Sequence, residues 1–213
     1  MKEFIKKFSD RVKGISTGPP LINGFVVGKS KSMEEGEMVP DPSYYYGPLI
    51  NEDALKKVEF YNKMVEESES TELLFKGVRL DRDGFFITPC VYTCGWGDEP
   101  YLKNEVFGPH VAIIPFKKIE DAINMYNDTD YGLALGVITE NFKTARFCRD
   151  NCHFGMGYWN GGSIAAESHF GFGGVKKSGN GWPSAARTYQ AVTHEVAWTV
   201  NHGGLAFPQG MSR

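Results

Sequence analysis

The stretch VAIIPFKKIEDAINMYNDTDYGLALGVITENFKTARFCRDNCHFGMGYW, Val111 to Trp159, alternates short apolar runs with longer amphipathic segments. The apolar runs are rich in β-branched and aromatic residues, which is typical of strands covered on both faces; they lie at residues 111–114, 134–138 and 156–159. Between them, apolar residues recur at helical spacing in residues 119–126 and 142–152. This alternation predicts right-handed βαβ units, and therefore a mainly parallel sheet in a three-layer α/β domain.

The residues before this stretch predict two further helices and three further strands. Apolar residues at helical spacing run from Phe4 to Ile15, with Gly14 as a stop signal, and a second helix is capped by Asn51. Residues 73–75 and 85–87 are short apolar runs with the character of buried strands. The segment from Ser16 to Pro48 is rich in Gly, Pro and Ser, so an irregular surface connection with one short strand at 25–27 is expected there.

The C-terminal part follows a different pattern. A glycine-dense stretch from Gly161 to Gly181 precedes a short helical pattern at residues 184–189. Residues 192–200, VTHEVAWTV, can form an extended strand that has no obvious partner in a parallel sheet. We expect this strand to pair with another subunit.

Composition favours a folded globular chain and excludes several classes of protein. The 213 residues are 41% hydrophobic and 23% charged, with a formal net charge of -3, so neither a nucleic-acid nor a membrane-surface footprint is visible. No apolar run approaches the roughly 20 residues of a membrane span. Because residues 1–8 lack the apolar core of a secretory signal, a reducing, cytoplasmic location is expected.

The four cysteines admit two interpretations. Cys90 and Cys94, together with Cys148 and Cys152, have pairwise spacings that a zinc site could use. The second pair, however, lies on the apolar stripe of a predicted helix, which favours small buried side chains. We therefore predict no metal site. Cys90 and Cys94 are expected near the end of the strand at residues 85–87, as structural thiols.

Single motifs reveal no catalytic set. The glycines from Phe170 to Gly181 match neither G-x-x-x-x-G-K-[ST] nor G-x-G-x-x-G, so turns that shape a pocket wall are favoured over a phosphate loop. His110 and His169 are candidate acid or base groups by residue type alone, and a hydrogen-bonded loop histidine is the simpler interpretation of each.

An ordered series of motifs is more specific than any one of them. It consists of GPLIN at 47–51, EVFGP at 105–109, NDTDYGLA at 127–134 and FGGVKKSG at 172–179. In order and spacing this series resembles the aldehyde dehydrogenase superfamily along essentially the whole chain, but only its C-terminal, catalytic-domain portion. The run from Ser178 to Ala185 is similar to the succinylglutamate semialdehyde dehydrogenase branch.

The resemblance implies a chemistry and three site residues. In this family a cysteine thiolate attacks an aldehyde, a hydride passes to NAD or NADP, and a glutamate activates the water that hydrolyses the thioester. Glu105 corresponds to the acid that holds the nicotinamide ribose, and Phe107 to the aromatic beside the nicotinamide. Phe172 corresponds to an aromatic of the aldehyde tunnel, and the loop from Gly161 to Phe170 would tune substrate choice.

The sequence also departs from the family pattern at several positions. None of the four cysteines occupies the position of the nucleophile, and the general-base glutamate and most of the cofactor domain have no counterpart, so NAD or NADP would be bound mainly by residues not in this sequence. We expect an incomplete catalytic-type domain at residues 1–190, lacking the nucleophile segment, and an oligomerisation strand with a tail at 191–213. Gly171 stands where the family usually has proline, and Asn104 where it usually has an acid.

The main hypothesis is therefore part of an NAD(P)-dependent aldehyde dehydrogenase that oxidises an aldehyde, such as a semialdehyde, to a carboxylic acid. The chain alone is expected to be inactive, and the full enzyme to be a homo-oligomer. The alternatives are a catalytically dead, dehydrogenase-derived interaction module and an independent phosphate-binding enzyme that uses the glycine loop. The sequence does not distinguish the aldehyde, or NAD from NADP.

Overall fold

The computed structural model describes residues 1–18, 21–23, 38–40, 43–164, 166–179, 181–200 and 202. The chain divides into two compact units, Met1–Met125 and Tyr126–Arg213. The helices of the first unit are α1 (Lys2–Lys13), α2 (Glu52–Glu67), α3 (Pro100–Lys103) and α4 (Ile119–Asn127), the last crossing the boundary between the units. Its strands are β1 (Leu21–Asn23), β2 (Met38–Pro40), β3 (Thr71–Phe75), β4 (Cys90–Cys94) and β5 (His110–Ile113).

A three-stranded sheet forms the centre of the first unit. Strand β4 lies in the middle, antiparallel to β3 and parallel to β5, with Cys90 opposite His110. Strands β1 and β2 form a separate antiparallel pair. Because β4 is covered on both faces, Cys90, Val91 and Tyr92 are almost completely buried.

Helix α2 begins where the sequence predicts. The Asn51 side chain accepts a hydrogen bond from the Ala54 N–H at 2.8 Å, and two acids occupy the first turn, where the helix dipole favours negative charge. Its buried stripe consists of Leu55, Val58, Asn62 and Val65. The expected first helix is also confirmed as α1, which ends at Gly14 and buries Val12 against Val91 and Ile113.

The strand predicted at residues 85–87 is not a strand. Ile87 is buried among Leu55, Val58 and Val106 and forms only an isolated bridge with Arg79. The ladder begins later, at Cys90, after Pro89, which has no N–H to donate. Cys90 and Cys94 therefore lie at the two ends of strand β4 itself, rather than near the end of the predicted one. The short strand expected at 25–27 falls outside the described residues.

The second unit repeats the alternation of strand and helix. Its elements are β6 (Tyr131–Gly132), β7 (Ala134–Val137), α5 (Phe142–Asn151), β8 (Met156–Trp159), β9 (Val175–Lys176), a 3₁₀ turn (Ala185–Arg187) and α6 (Thr188–Val192). Strands β7 and β8 are parallel and are connected by α5, whose N-terminus is capped by the Asn141 side chain. Strand β6 pairs antiparallel with β9. The prediction of a mixed α/β fold with parallel strands and a connecting helix is confirmed.

The pairing strand predicted at residues 192–200 is wrong at its first residue, because Val192 ends helix α6. Residues 193–200 are exposed and form neither a helix nor a strand ladder with the described part of the chain. Pairing with a second subunit therefore stays a prediction, as do the proposed boundaries at 190 and 191. Among the described helices, none combines the length and apolar character that crossing a membrane requires.

Candidate cofactor and substrate sites

Two residues pack the turn from Glu105 to Pro109 against helix α2. Val106 is buried against Leu55 and Val58 of α2. Gly108 lies so close to the same helix that a Cβ atom at this position would be 2.5 Å from Cγ2 of Val58. Because both neighbours are fixed in this way, the residue between them, Phe107, is turned away from the core.

Phe107 occupies an unfavourable position by two measures. Its φ angle is 61°, in the left-handed region that a bulky side chain seldom adopts, and 75% of its surface is exposed. Left-handed backbone at a residue other than glycine costs on the order of 1 kcal/mol or more, and such strain concentrates at ligand sites. The turn thus holds a flat aromatic face towards solvent.

Glu105 lies beside this aromatic ring. Its backbone carbonyl accepts a hydrogen bond from Nζ of Lys57 at 2.7 Å, which ties the turn to α2. No hydrogen bond or ion pair from the described residues reaches its carboxylate, which is exposed and able to accept O–H donors. Glu105 and Phe107 line the same pocket of about 380 Å³, together with Trp96, Tyr101 and His110 among others.

A hydrogen-bonded trio that the sequence did not reveal lies beside this pocket. Nδ1 of His110 is 3.0 Å from Oδ1 of Asn62, and Nε2 of His110 is 3.0 Å from the hydroxyl of Tyr92. The amide oxygen can only accept, so His110 carries its proton on Nδ1, and the Tyr92 hydroxyl donates to Nε2. The trio ties α2, β4 and β5 together behind the turn.

His110 is therefore not an available acid or base. Burial lowers its pKa from 6.5 to about 4, so it is uncharged at neutral pH, and both ring nitrogens are occupied. This outcome supports the simpler interpretation of His110, a hydrogen-bonded histidine, although it begins strand β5 rather than lying in a loop. The available signal was Asn62, a polar residue on the apolar stripe of α2.

Phe172 lies in the second unit, where close backbone contacts shape the glycine-rich segment. The Phe172 N–H donates to Oγ of Ser184 at 2.8 Å. A Cβ atom at Gly173 would be 2.5 Å from the carbonyl oxygen of Gly181, and one at Gly155 would overlap the Gly173 carbonyl. The glycines thus allow backbone segments to touch, in agreement with the prediction of turns that form a pocket wall.

These turns enclose a pocket of about 600 Å³ within the second unit. Phe172, 46% exposed, lines it with other rings and apolar groups, and three polar side chains also face it: Glu167, His169 and Arg187. The His169 ring packs against Phe170, with 4.2 Å between centroids. The pocket therefore combines aromatic surface with groups of both charges.

The four thiols are unsuited to nucleophilic attack. Cys90, Cys94 and Cys148 are buried, and burial raises the pKa of each. Burial likewise raises the pKa of the partly buried Cys152, to about 11. Since the thiolate is the reactive form, none is activated at neutral pH. Within the described ranges no cluster of three or more His, Cys, Asp or Glu residues is placed to hold a metal ion.

The strained aromatic lies beside a carboxylate that has no partner among the described residues, and an aromatic pocket lies behind a glycine-rich turn. Together these features define an α/β protein with two candidate small-molecule sites. The family model described as the aldehyde dehydrogenase family matches residues 1–197. The chain belongs to the aldehyde dehydrogenase family.

Individual relatives agree with this assignment. The chain is 34% identical over 179 residues to 3-sulfolactaldehyde dehydrogenase of Priestia megaterium, covering 82% of this chain and 36% of that protein. It is 29% identical to 4-trimethylaminobutyraldehyde dehydrogenase A of Danio rerio, covering 96% of this chain and 37% of the relative. The chain thus spans little more than a third of the length of these relatives.

Solved structures show the same likeness. Betaine aldehyde dehydrogenase of Staphylococcus aureus, in complex with NAD+, is 27% identical with a TM-score of 0.70, covering 87% of this chain and 34% of that one. Aldehyde dehydrogenase 21 of Physcomitrella patens, in complex with the reaction product succinate, is 26% identical with a TM-score of 0.64, covering 84% and 32%.

Proposed function

We propose that this chain forms one cofactor-binding wall and one substrate-binding wall of an NAD(P)-dependent aldehyde dehydrogenase that converts an aldehyde to a carboxylic acid. The observation that carries this proposal is Phe107, an exposed ring held at a left-handed φ beside the Glu105 carboxylate, which no group of the described residues pairs with. Family membership supports the reaction class, because the relatives named above are dehydrogenases of aldehydes.

The residues of the Glu105–Phe107 pocket fit a nicotinamide nucleoside. A carboxylate that accepts no hydrogen bond from the described residues matches the two hydroxyl donors of a ribose, and a flat exposed ring matches the nicotinamide plane. NAD or NADP, when bound, supplies the acceptor for the hydride that leaves the aldehyde carbon. The role of this chain would be to hold the ribose with Glu105 and to limit the movement of the ring with Phe107.

On the substrate side, Phe172 would contact the aldehyde chain. Its ring is half-exposed, and its backbone is fixed by the hydrogen bond to Ser184, so it offers a preorganised apolar surface. We further propose that the substrate carries a second polar group, as a semialdehyde does. The names 3-sulfolactaldehyde dehydrogenase and 1-pyrroline-5-carboxylate dehydrogenase, both given to relatives of this chain, support that choice.

The chain itself supplies no nucleophile. Covalent oxidation of an aldehyde needs a thiolate that adds to the carbonyl carbon, and the four thiols here have raised pKa values. We therefore propose that the chain alone does not oxidise aldehydes, and that residues 1–190 act as an incomplete catalytic-type domain with residues 191–213 serving for oligomerisation.

The first experiment measures binding of nicotinamide mononucleotide to the isotope-labelled chain by NMR. Shifts confined to the turn from Glu105 to Pro109 are expected, and Glu105→Gln should weaken binding by about tenfold, because one charge-assisted acceptor is lost. Glu72→Gln on the exposed side of β3 is the matched control and should bind as the parent does. Equal binding by all three proteins would refute the assignment of Glu105.

The second experiment follows nicotinamide reduction at 340 nm after the chain is mixed with an aldehyde and NAD+ or NADP+. No turnover is expected. Sustained reduction that is proportional to the amount of chain would show that one of its four thiols does act as a nucleophile.

One observation favours a second candidate function, an interaction module without catalysis. Residues 193–200, which form neither helix nor strand, expose large apolar side chains, including Trp198 at 84% exposure. Such a segment suits pairing with another chain. If nicotinamide mononucleotide fails to bind while the chain self-associates through this segment, the interaction module becomes the better description.

A further inference from the structure

Arg187 lines the pocket of the second unit, and the aliphatic part of its side chain lies beside Gly171. A Cβ atom added to Gly171 would be 3.2 Å from Cδ of Arg187 and 3.6 Å from Cγ. The bare backbone of Gly171 therefore leaves the space in which the Arg187 stem lies. A larger side chain at 171 would press on that stem.

The guanidinium is positioned by an aromatic ring. Cζ of Arg187 is 5.5 Å from the centroid of the Trp182 ring, within the range of a cation–π contact. Within the described part of the chain, no carboxylate or carbonyl pairs with its N–H groups. The pocket is thus lined by an exposed cation, stacked on Trp182, whose five donors have no partner among the described residues.

A cationic ligand fits the same pocket less well, although Glu167 and several rings line it. Arg187 covers the Trp182 ring, and His169 packs on the Phe170 ring, so two aromatic surfaces that could receive an ammonium group are already in use. A trimethylammonium group would also meet the charge of Arg187. A carboxylate or sulfonate matches the planar fork of donors.

We propose that Arg187, placed by Gly171 and Trp182, recognises an anionic group at the far end of the substrate, so that the enzyme prefers aldehydes bearing a carboxylate or a sulfonate. This inference rests on the proposed function, since it assigns the substrate class of the pocket that Phe172 lines. Glu167 would set the orientation by disfavouring the anion on its own side.

The test is an NMR titration of the full 213-residue chain with butyrate, with propanesulfonate, with 1-butanol and with tetramethylammonium. Butyrate or propanesulfonate should shift the Nε–H signal of Arg187 and the indole N–H signal of Trp182. The neutral and cationic probes should bind at least fivefold more weakly. Whichever anion binds more tightly identifies the preferred group.

Three variants decide the role of the side chain. Arg187→Met keeps much of the stem and should lower the affinity for the anions about tenfold. Arg187→Lys keeps the charge and should retain part of the affinity. Arg82→Met is the matched control, because it removes an arginine stacked on Phe86 in the other unit, and it should have no effect. Equal binding of butyrate and 1-butanol, or equal weakening by Arg82→Met, would overturn the proposal.

The two proposals fail separately. Absence of nicotinamide mononucleotide binding with intact anion binding would remove the proposed cofactor-binding role of Glu105 and Phe107 and leave the anion subsite. The reverse result would leave the cofactor-binding role and remove the substrate class.

Discussion

At the scale of single residues, the uncharged state of His110 predicts a pH-dependent stability. The pKa of His110 is about 4 in the folded chain and 6.5 in an exposed histidine. Between these values the unfolded chain binds more protons than the folded chain, so the free energy of unfolding rises with pH. The stability that uncharged His110 contributes is therefore present above pH 6.5 and decreases as the pH falls towards 4. We expect the free energy of unfolding to decrease by about 2 kcal/mol over this pH window, a value that allows for partial solvent screening of the half-buried side chain.

Urea unfolding at a series of pH values measures this loss. His110→Gln keeps a hydrogen-bonding side chain but cannot titrate, so its stability should depend less on pH between 6.5 and 4. The exposed His194→Gln is the control and should behave as the parent chain does. An acid-side slope that is unchanged by His110→Gln would contradict the assignment.

The thiols give a second prediction at this scale. Since burial raises the pKa of Cys152 to about 11, about a thousandth of it is thiolate at pH 8, and the three buried cysteines are also shielded from reagents. Labelling of the folded chain with a thiol reagent should be slow, should accelerate with pH, and should reach Cys152 first. The urea-unfolded chain should label at all four positions; rapid labelling of Cys90 in the folded chain would be incompatible with the buried strand.

Residues could be anticipated from sequence only where a local pattern marks them. The ordered motifs that carry the family resemblance predict Glu105 and Phe107 as cofactor-binding residues, which stays a prediction, and the structure adds that Phe107 is exposed at a left-handed φ. Tyr92 and Asn62 were missed because their link through His110 joins positions far apart in sequence. Arg187 was missed for the same reason, since its neighbour Gly171 lies on a different turn.

At the scale of elements, a substitution that adds one methyl group tests the close approach of the Glu105–Pro109 turn to α2. Gly108→Ala would place Cβ 2.5 Å from Cγ2 of Val58, so the turn or the helix must move. We expect a destabilisation of about 1–3 kcal/mol and weaker binding of nicotinamide mononucleotide, measured by urea unfolding and by NMR. Gly95→Ala has no heavy atom within 4 Å of the new Cβ and should change neither quantity.

Elements with a capping residue and a clear period were predictable, whereas the position of a central strand was not. Helices α2 and α5 begin at Asn51 and Asn141, whose side chains accept backbone hydrogen bonds, and such caps are visible in a sequence. Residues 85–87 and 90–94 are both apolar and buried, and periodicity does not distinguish a packed run from a paired one. Pairing with β3 and β5 selects Cys90–Cys94, and partners distant in sequence decide it.

At the scale of the whole molecule, the described residues contain two candidate binding surfaces, and burial raises the pKa of all four thiols. One surface, around Glu105 and Phe107, belongs to the first unit, and the other, around Phe172 and Arg187, belongs to the second. Each is self-contained enough to be tested by ligand binding without turnover. Catalysis would require a thiolate from residues other than the four cysteines present.

Self-association provides the test that belongs to the molecule as a whole. Val196 and Trp198 are 69% and 84% exposed on a segment that forms neither helix nor strand, and exposed apolar side chains on an unpaired segment favour pairing with another chain. Light scattering should therefore show a mass that increases with concentration, and Trp198→Lys should shift the chain towards monomer by introducing charge at the edge. Ile50→Lys, at another exposed apolar position, is the control and should leave the mass unchanged. A chain that is monomeric at every concentration, or one that both substitutions dissociate equally, would show that residues 192–200 do not form the pairing strand.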